Sequence, residues 1–209
     1  MDSNPLLLDV DRTVTNLVEL QIGLSKKVSE LVSIDPENYN YSFDEYIRSL
    51  ENSRDFDPED FIKNLTETYG VDEEELRKII FETPEIYQNA LYPEVLDVVS
   101  ELFARGVQIG VYTEGKNEAY QRDKFAPLLD YLDDNLIFYF ENKLSEEALV
   151  QIPDGATIVD DKRVIIEELL KTGRFNLVWL NRNDDEVHPD PRVRTIHSLN
   201  ELLTVEYLQ

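Results

Sequence analysis

At 209 residues the chain is long enough for one substantial core with a smaller appended unit. Its 42% hydrophobic content excludes an acidic disordered tail, while 44 Asp and Glu against 20 Lys and Arg, a formal charge of -24, count against nucleic acid and anionic membranes as partners. The absence of cysteine excludes disulfides, thiolate nucleophiles and cysteine-ligated zinc.

The first element expected is a strand. Pro5-Leu6-Leu7-Leu8-Asp9-Val10-Asp11 is a short apolar run ending in acids, the pattern of a central parallel strand buried on both faces. The residues before it lack the basic start and long apolar stretch of a signal peptide, and no later run reaches transmembrane length, so a cytoplasmic protein is expected. From Val14 to about Asn89 the spacing becomes helical. Val18, Ile22, Leu24 and Val28 recur as one apolar face until Asp35-Pro36 interrupts, and further helices are expected from Phe43, Pro58 and Asp72. Asp57-Pro58 pairs a capping residue with a first-turn proline, and Glu73-Glu74-Glu75 places acids where the helix dipole favours them.

From Tyr92 onward helices and strands alternate. A helix over 93–104 is closed by Gly106, a strand follows over 107–113, and a helix over 117–125. Strands are expected at 136–140, 157–159 and 177–180, with a helix over 164–172 between the last two and a closing helix from Ser198 to about Val205. Such alternation predicts an α/β fold, a doubly wound and mostly parallel sheet covered on both faces.

The residues able to carry chemistry sit where these strands end. Asp9 and Asp11, two apart at a strand terminus, can both turn into the crevice, one to attack and the other to transfer protons. Taken alone, the pair suits a polar turn that caps the next helix equally well. Thr113 ends the second strand with a hydroxyl able to hold a phosphoryl oxygen, although β-propensity also accounts for a threonine there. Lys143 follows the third strand and could neutralise charge at the nucleophile; in isolation it reads as a surface lysine. Asp160 and Asp161 end the fourth strand as adjacent acids, which a magnesium ion would reconcile and which a helix cap would also explain.

In order, strand context and spacing, Asp9 and Asp11, Thr113, Lys143, then Asp160 and Asp161 resemble the four motifs of the haloacid dehalogenase superfamily. The resemblance implies a Rossmann-like core over 1–13 and 89–209, with an all-helical cap inserted over 14–88. It also implies a magnesium-dependent phosphatase that acts on a small phosphorylated metabolite through an aspartyl-phosphate. Asp9 would be the nucleophile and Asp11 the general acid and base, its carbonyl reaching the metal. Thr113 would hold the phosphoryl group and Lys143 would stabilise its charge, with Asp161 as a metal ligand and Asp160 holding Lys143 or a metal-bound water. The metal set is thus Asp9, Asp11, Asp160 and Asp161.

Two positions depart from the family pattern: Arg12 stands where glycine is common, and Glu114 where a small or amide residue is common. Lys116 and Lys162 are rival candidates for the active-site lysine. The rival functions are a catalytically idle binding or regulatory module of the same fold, a phosphomutase, and a dehalogenase, against which Asp11 counts because that reaction has no leaving oxygen to protonate. Tyr39, Tyr41, Tyr46, Arg48 and Arg54 form a mixture in the expected cap that could read a sugar or small acid, or could be ordinary core and surface residues. His188 and His197 are expected to be structural or solvent-facing.

Overall fold

A computed structural model describes residues 4–205 of the chain. The outer limits of the expected core, residues 1 and 209, fall outside these. Six strands, β1 (Leu6–Leu8), β2 (Ile109–Glu114), β3 (Ile137–Phe140), β4 (Thr157–Asp160), β5 (Asn176–Leu180) and β6 (Val193–Ile196), form one sheet in the order β3-β2-β1-β4-β5-β6, every neighbour parallel. β1 is central, as its unbroken apolar run requires. Leu6 and Leu8 join the core on one face of the sheet, and Leu7 joins the core on the other with Ile158, Ile166 and Leu169. β6 was not expected from the sequence. Val193 and Ile196 are its buried residues and Arg194 and Thr195 are only half-buried, so its four residues carry neither strict alternation nor a continuous apolar run.

Residues 17–89 are helical: α1 (Leu17–Val32), α2 (Pro36–Ser49), α3 (Pro58–Tyr69), α4 (Glu73–Phe81) and α5 (Pro84–Asn89). Asn16, Asp35, Asp57 and Asp72 cap the first four, each side chain accepting from a backbone N–H of the first turn. Asp35-Pro36 is therefore the start of α2, seven residues ahead of the expected Phe43, because proline is tolerated in a first turn that has no N–H partner anyway. The helices bury a cluster of their own, including Leu20, Leu24, Val28, Phe61, Ile62, Leu65, Leu76 and Ile79. Each such side chain contributes roughly 1.5–3 kcal/mol on burial. The apolar face of α1 differs from the expected one: Leu20, Leu24 and Val28 are buried, whereas Val18 and Ile22 are 67% and 52% exposed.

The chain enters and leaves this unit side by side. Asn16 N–H donates to the Ala90 carbonyl at 2.7 Å and Tyr92 N–H to the Val14 carbonyl at 3.0 Å, with Thr15 and Leu91 bridged antiparallel. Beyond the neck, α6 (Val95–Ala104), α7 (Glu118–Phe125), α8 (Glu146–Leu149) and α9 (Arg163–Thr172) alternate with the strands, and a 3₁₀ turn over Leu199–Thr204 replaces the expected closing helix. Ser198 and Glu201 close that turn with a capping box. Among the described residues no helix is long and apolar enough to cross a membrane.

Candidate active site

Strand register brings the acidic ends together. Leu8 lies opposite Val111 and Val159, so Asp9 and Asp160 leave neighbouring strands at the same level, and Asp9 N–H donates to the Val159 carbonyl at 2.9 Å. Between them lies Lys143, fully buried, its Nζ 2.6 Å from Asp9 Oδ1 and 2.5 Å from Asp160 Oδ2. The loop carrying Lys143 is fixed from β2, where the Tyr112 hydroxyl donates to the Lys143 carbonyl. Asp160 Oδ1 accepts from Lys162 N–H at 2.8 Å, so both oxygens of Asp160 are engaged. Asp161 stands beside them, and Trp179 Nε1 donates to its carbonyl.

Burial dominates the electrostatics. It pushes the Asp9 carboxyl well above the usual carboxylate range, opposed by Lys143 and reinforced by Asp160 and Asp161. Burial and the charge of Asp160 likewise raise Asp161 to about 6. For Lys143 burial acts to lower the pKa, but Asp160 and Asp9 more than offset it, and the ammonium is held firmly protonated.

Oxygens of Asp9, Asp160 and Asp161 lie within 4.8 Å of one another, so three carboxyl groups crowd around the one ammonium of Lys143. Asp9 Oδ2 and Asp161 Oδ1 are buried without a hydrogen-bond partner among the described residues. A hard divalent cation with oxygen ligands fits that donor set.

Asp11 is not part of this cluster. Its carboxylate is turned to a residue that sequence reasoning missed, Lys124 on α7, whose Nζ lies 2.7 and 3.0 Å from the two oxygens. Lys124 is held by packing over the Tyr120 ring at 4.6 Å, while its carbonyl accepts from the Thr15 hydroxyl. The four-residue spacing of Tyr120 and Lys124 on one helix face was the available signal. Thr113, 2% exposed, lies near the end of β2 opposite Tyr139, one strand from Asp9.

The departures from the family pattern also find their places. Arg12 adopts φ 62, the left-handed conformation glycine takes most cheaply, and its N–H donates to the Thr15 carbonyl at 2.8 Å. Glu114 accepts from Lys162 Nζ at 3.2 Å, so that acid and one rival lysine neutralise each other. Tyr39 is buried, Tyr41 is exposed, and Tyr46 stacks on Phe61, while Arg48 pairs with Glu45 at the surface. Only Arg54 of that mixture lines the cavity of about 560 Å³ that Asp11, Arg12, Glu114 and Lys124 share with the helical unit. His188 is buried against Trp179, and His197 Nδ1 lies 2.9 Å from the Asn181 carbonyl; neither lines this cavity.

No protein-family model and no curated protein matches the sequence. Solved structures do match it along nearly its whole length. A haloacid dehalogenase-like hydrolase from Burkholderia xenovorans is 18% identical, covers 99% of each chain and gives a TM-score of 0.72. The magnesium-bound HAD-hydrolase YfnB from Bacillus subtilis is 17% identical over 98% of each chain, with a TM-score of 0.64. A HAD phosphatase from Thermococcus onnurineus is 21% identical over 96% of each chain, with a TM-score of 0.62. The chain therefore has the fold of the haloacid dehalogenase-like hydrolases.

Proposed function

We propose that the protein is a magnesium-dependent phosphatase that hydrolyses a small phosphorylated metabolite in two displacements. The observation that carries this reading is the buried Asp9–Lys143–Asp160 chain beside Asp161, with unpartnered oxygens on Asp9 and Asp161. A carboxylate oxygen of Asp9 attacks phosphorus and the bond to the leaving oxygen breaks, giving an aspartyl-phosphate. Asp11 passes a proton to that oxygen and then takes one from the water that attacks the aspartyl-phosphate. Inorganic phosphate leaves and the Asp9 carboxylate is restored. Lys143 opposes the burial that disfavours the ionised form of Asp9 and offsets the charge that gathers on the phosphoryl group, which Thr113 holds by its hydroxyl.

Asp9 and Asp161 would hold magnesium, with Asp160 tied to Lys143, and the Asp11 carbonyl is a further donor in this reading. When bound, the ion supplies charge that offsets phosphate repulsion. The helical unit over 14–88 serves as a cap that limits the site to small substrates. Solved proteins of the same fold include dehalogenases; a second carboxylate at Asp11, reaching into the shared cavity, favours a leaving group that needs a proton.

The test is hydrolysis of an aryl phosphate by wild type and Asp9→Asn, with magnesium and with chelator. Expected is activity that requires magnesium and falls by at least about a thousandfold in the variant, the size of effect typical of a lost nucleophile. Equal rates in the two proteins would remove Asp9 from the chemistry. A wild type inactive toward a broad panel of phosphomonoesters would leave a binding module.

A further inference from the structure

The cavity beside Asp11 has a wall whose composition the proposed hydrolysis does not explain. On α1, Leu20, Leu24 and Val28 bury themselves within the helical unit, which leaves Val18 and Ile22, one turn apart, on the cavity side at 67% and 52% exposure. A solvated helix face ordinarily takes charged or polar residues. Two branched aliphatic side chains there, in a lining that also includes Phe43, Ile47 and Phe56, offer apolar surface that an apolar ligand would cover.

Four of the seven charged groups of the lining pair with each other, Lys124 with Asp11 and Lys162 with Glu114, and Asp44 lies 3.9 Å from Arg48, which leaves Arg12 and Arg54 without an ion pair among the described residues. Tyr120 lines the cavity but is only 6% exposed, its ring packed on Phe56, while Tyr39 is buried in the helical core and the Tyr46 hydroxyl donates to the Asp57 carbonyl. Gln21, Asn40 and Gln121 are the uncharged amides of the lining, and a polyol would set its remaining hydroxyls against Leu17, Val18, Ile22, Phe43, Ile47 and Phe56, at a cost for each left without a partner. A volume of about 560 Å³ suits a small organic body.

We propose that the cavity takes a phosphomonoester whose body is apolar, an alkyl or aryl group lying against Val18, Ile22, Phe43, Ile47 and Phe56. The placement of the phosphate rests on the phosphatase reading; the character of the body rests on the wall. Arg54, half-buried in the lining and without an ion-pair partner among the described residues, can take one acceptor on that body.

Binding of non-hydrolysable phosphonates, measured by titration calorimetry with magnesium present, tests this. Hexylphosphonate is expected to bind at least about tenfold more tightly than methylphosphonate or a sugar phosphonate of matching carbon number, as burial of a few methylenes implies. Ile22→Asn and Val18→Asn alter exposed positions without adding charge, and each is expected to remove most of the hexyl advantage over methylphosphonate. A sugar phosphonate that binds as tightly as the hexyl compound, a hexyl advantage that both variants retain, or no binding by any of the three overturns the proposal. A clear hexyl preference together with no hydrolysis of any phosphomonoester supports the apolar site and overturns the phosphatase reading alone. Hydrolysis that favours sugar phosphates does the reverse.

Discussion

Lys143 has no exposed surface and touches two carboxylates, so its charge is set against groups that water cannot screen. Lys143→Met keeps most of the volume and leaves three acids facing one another. Without divalent cations the variant is expected to lose about 3–5 kcal/mol in urea unfolding, the cost of stranding a buried ion-pair partner. A loss below about 1 kcal/mol would mean that protonation of the acids already neutralises the cluster. Asp123 on α7 shows the opposite sign. Burial, opposed by Arg122, raises its carboxyl from 3.8 to about 6. Between these values the folded chain holds a proton that the unfolded chain has released, so this group's contribution to stability falls as pH rises through that window. Asp123→Asn is therefore expected to melt higher than wild type above pH 6 and together with it near pH 4, a difference that thermal scans at the two ends would show. At this scale the strand-end acids were legible because a strand end fixes where they emerge. Lys124 was not: 113 positions separate it from Asp11, and a helical lysine ordinarily points to water.

Among the elements, helix starts were most readable where the cap chemistry is local, as at Asp57-Pro58 and Asp72. The same chemistry at Asp35-Pro36 reads as an interruption only if proline is taken as a breaker without regard to position. The face of α1 could not be fixed from spacing, because Val18 and Ile22 fit the period as well as Leu20 and Leu24 do. Between β2 and β3 the constraint is steric. A Cβ on Gly110 would lie 2.5 Å from Leu136 Cβ and closer still to its carbonyl, backbone that cannot step aside without moving the start of β3. Gly110→Ala is expected to destabilise the protein by about 3 kcal/mol or more, measured by chemical denaturation, as overpacking a rigid contact does. An effect within about 0.5 kcal/mol would show that the 133–136 turn shifts freely.

For the molecule as a whole, alternation of strands and helices after Tyr92 made the parallel sheet legible, and the change of period after Asp11 marked the helical insertion. What the sequence concealed is how the two parts meet. Tyr120 belongs to α7 beside the sheet, yet its ring packs on Phe56, Phe81 and Tyr87 within the helical cluster, with centroids 5.6 to 6.4 Å away. One turn along the same helix Lys124 grips Asp11. The joint works as a tenon in a socket: the insertion cannot swing out on its two-stranded neck as a free lid. It must either draw the Tyr120 ring into water or carry α7 with it, and in the second case the movement is transmitted to the carboxylate of Asp11.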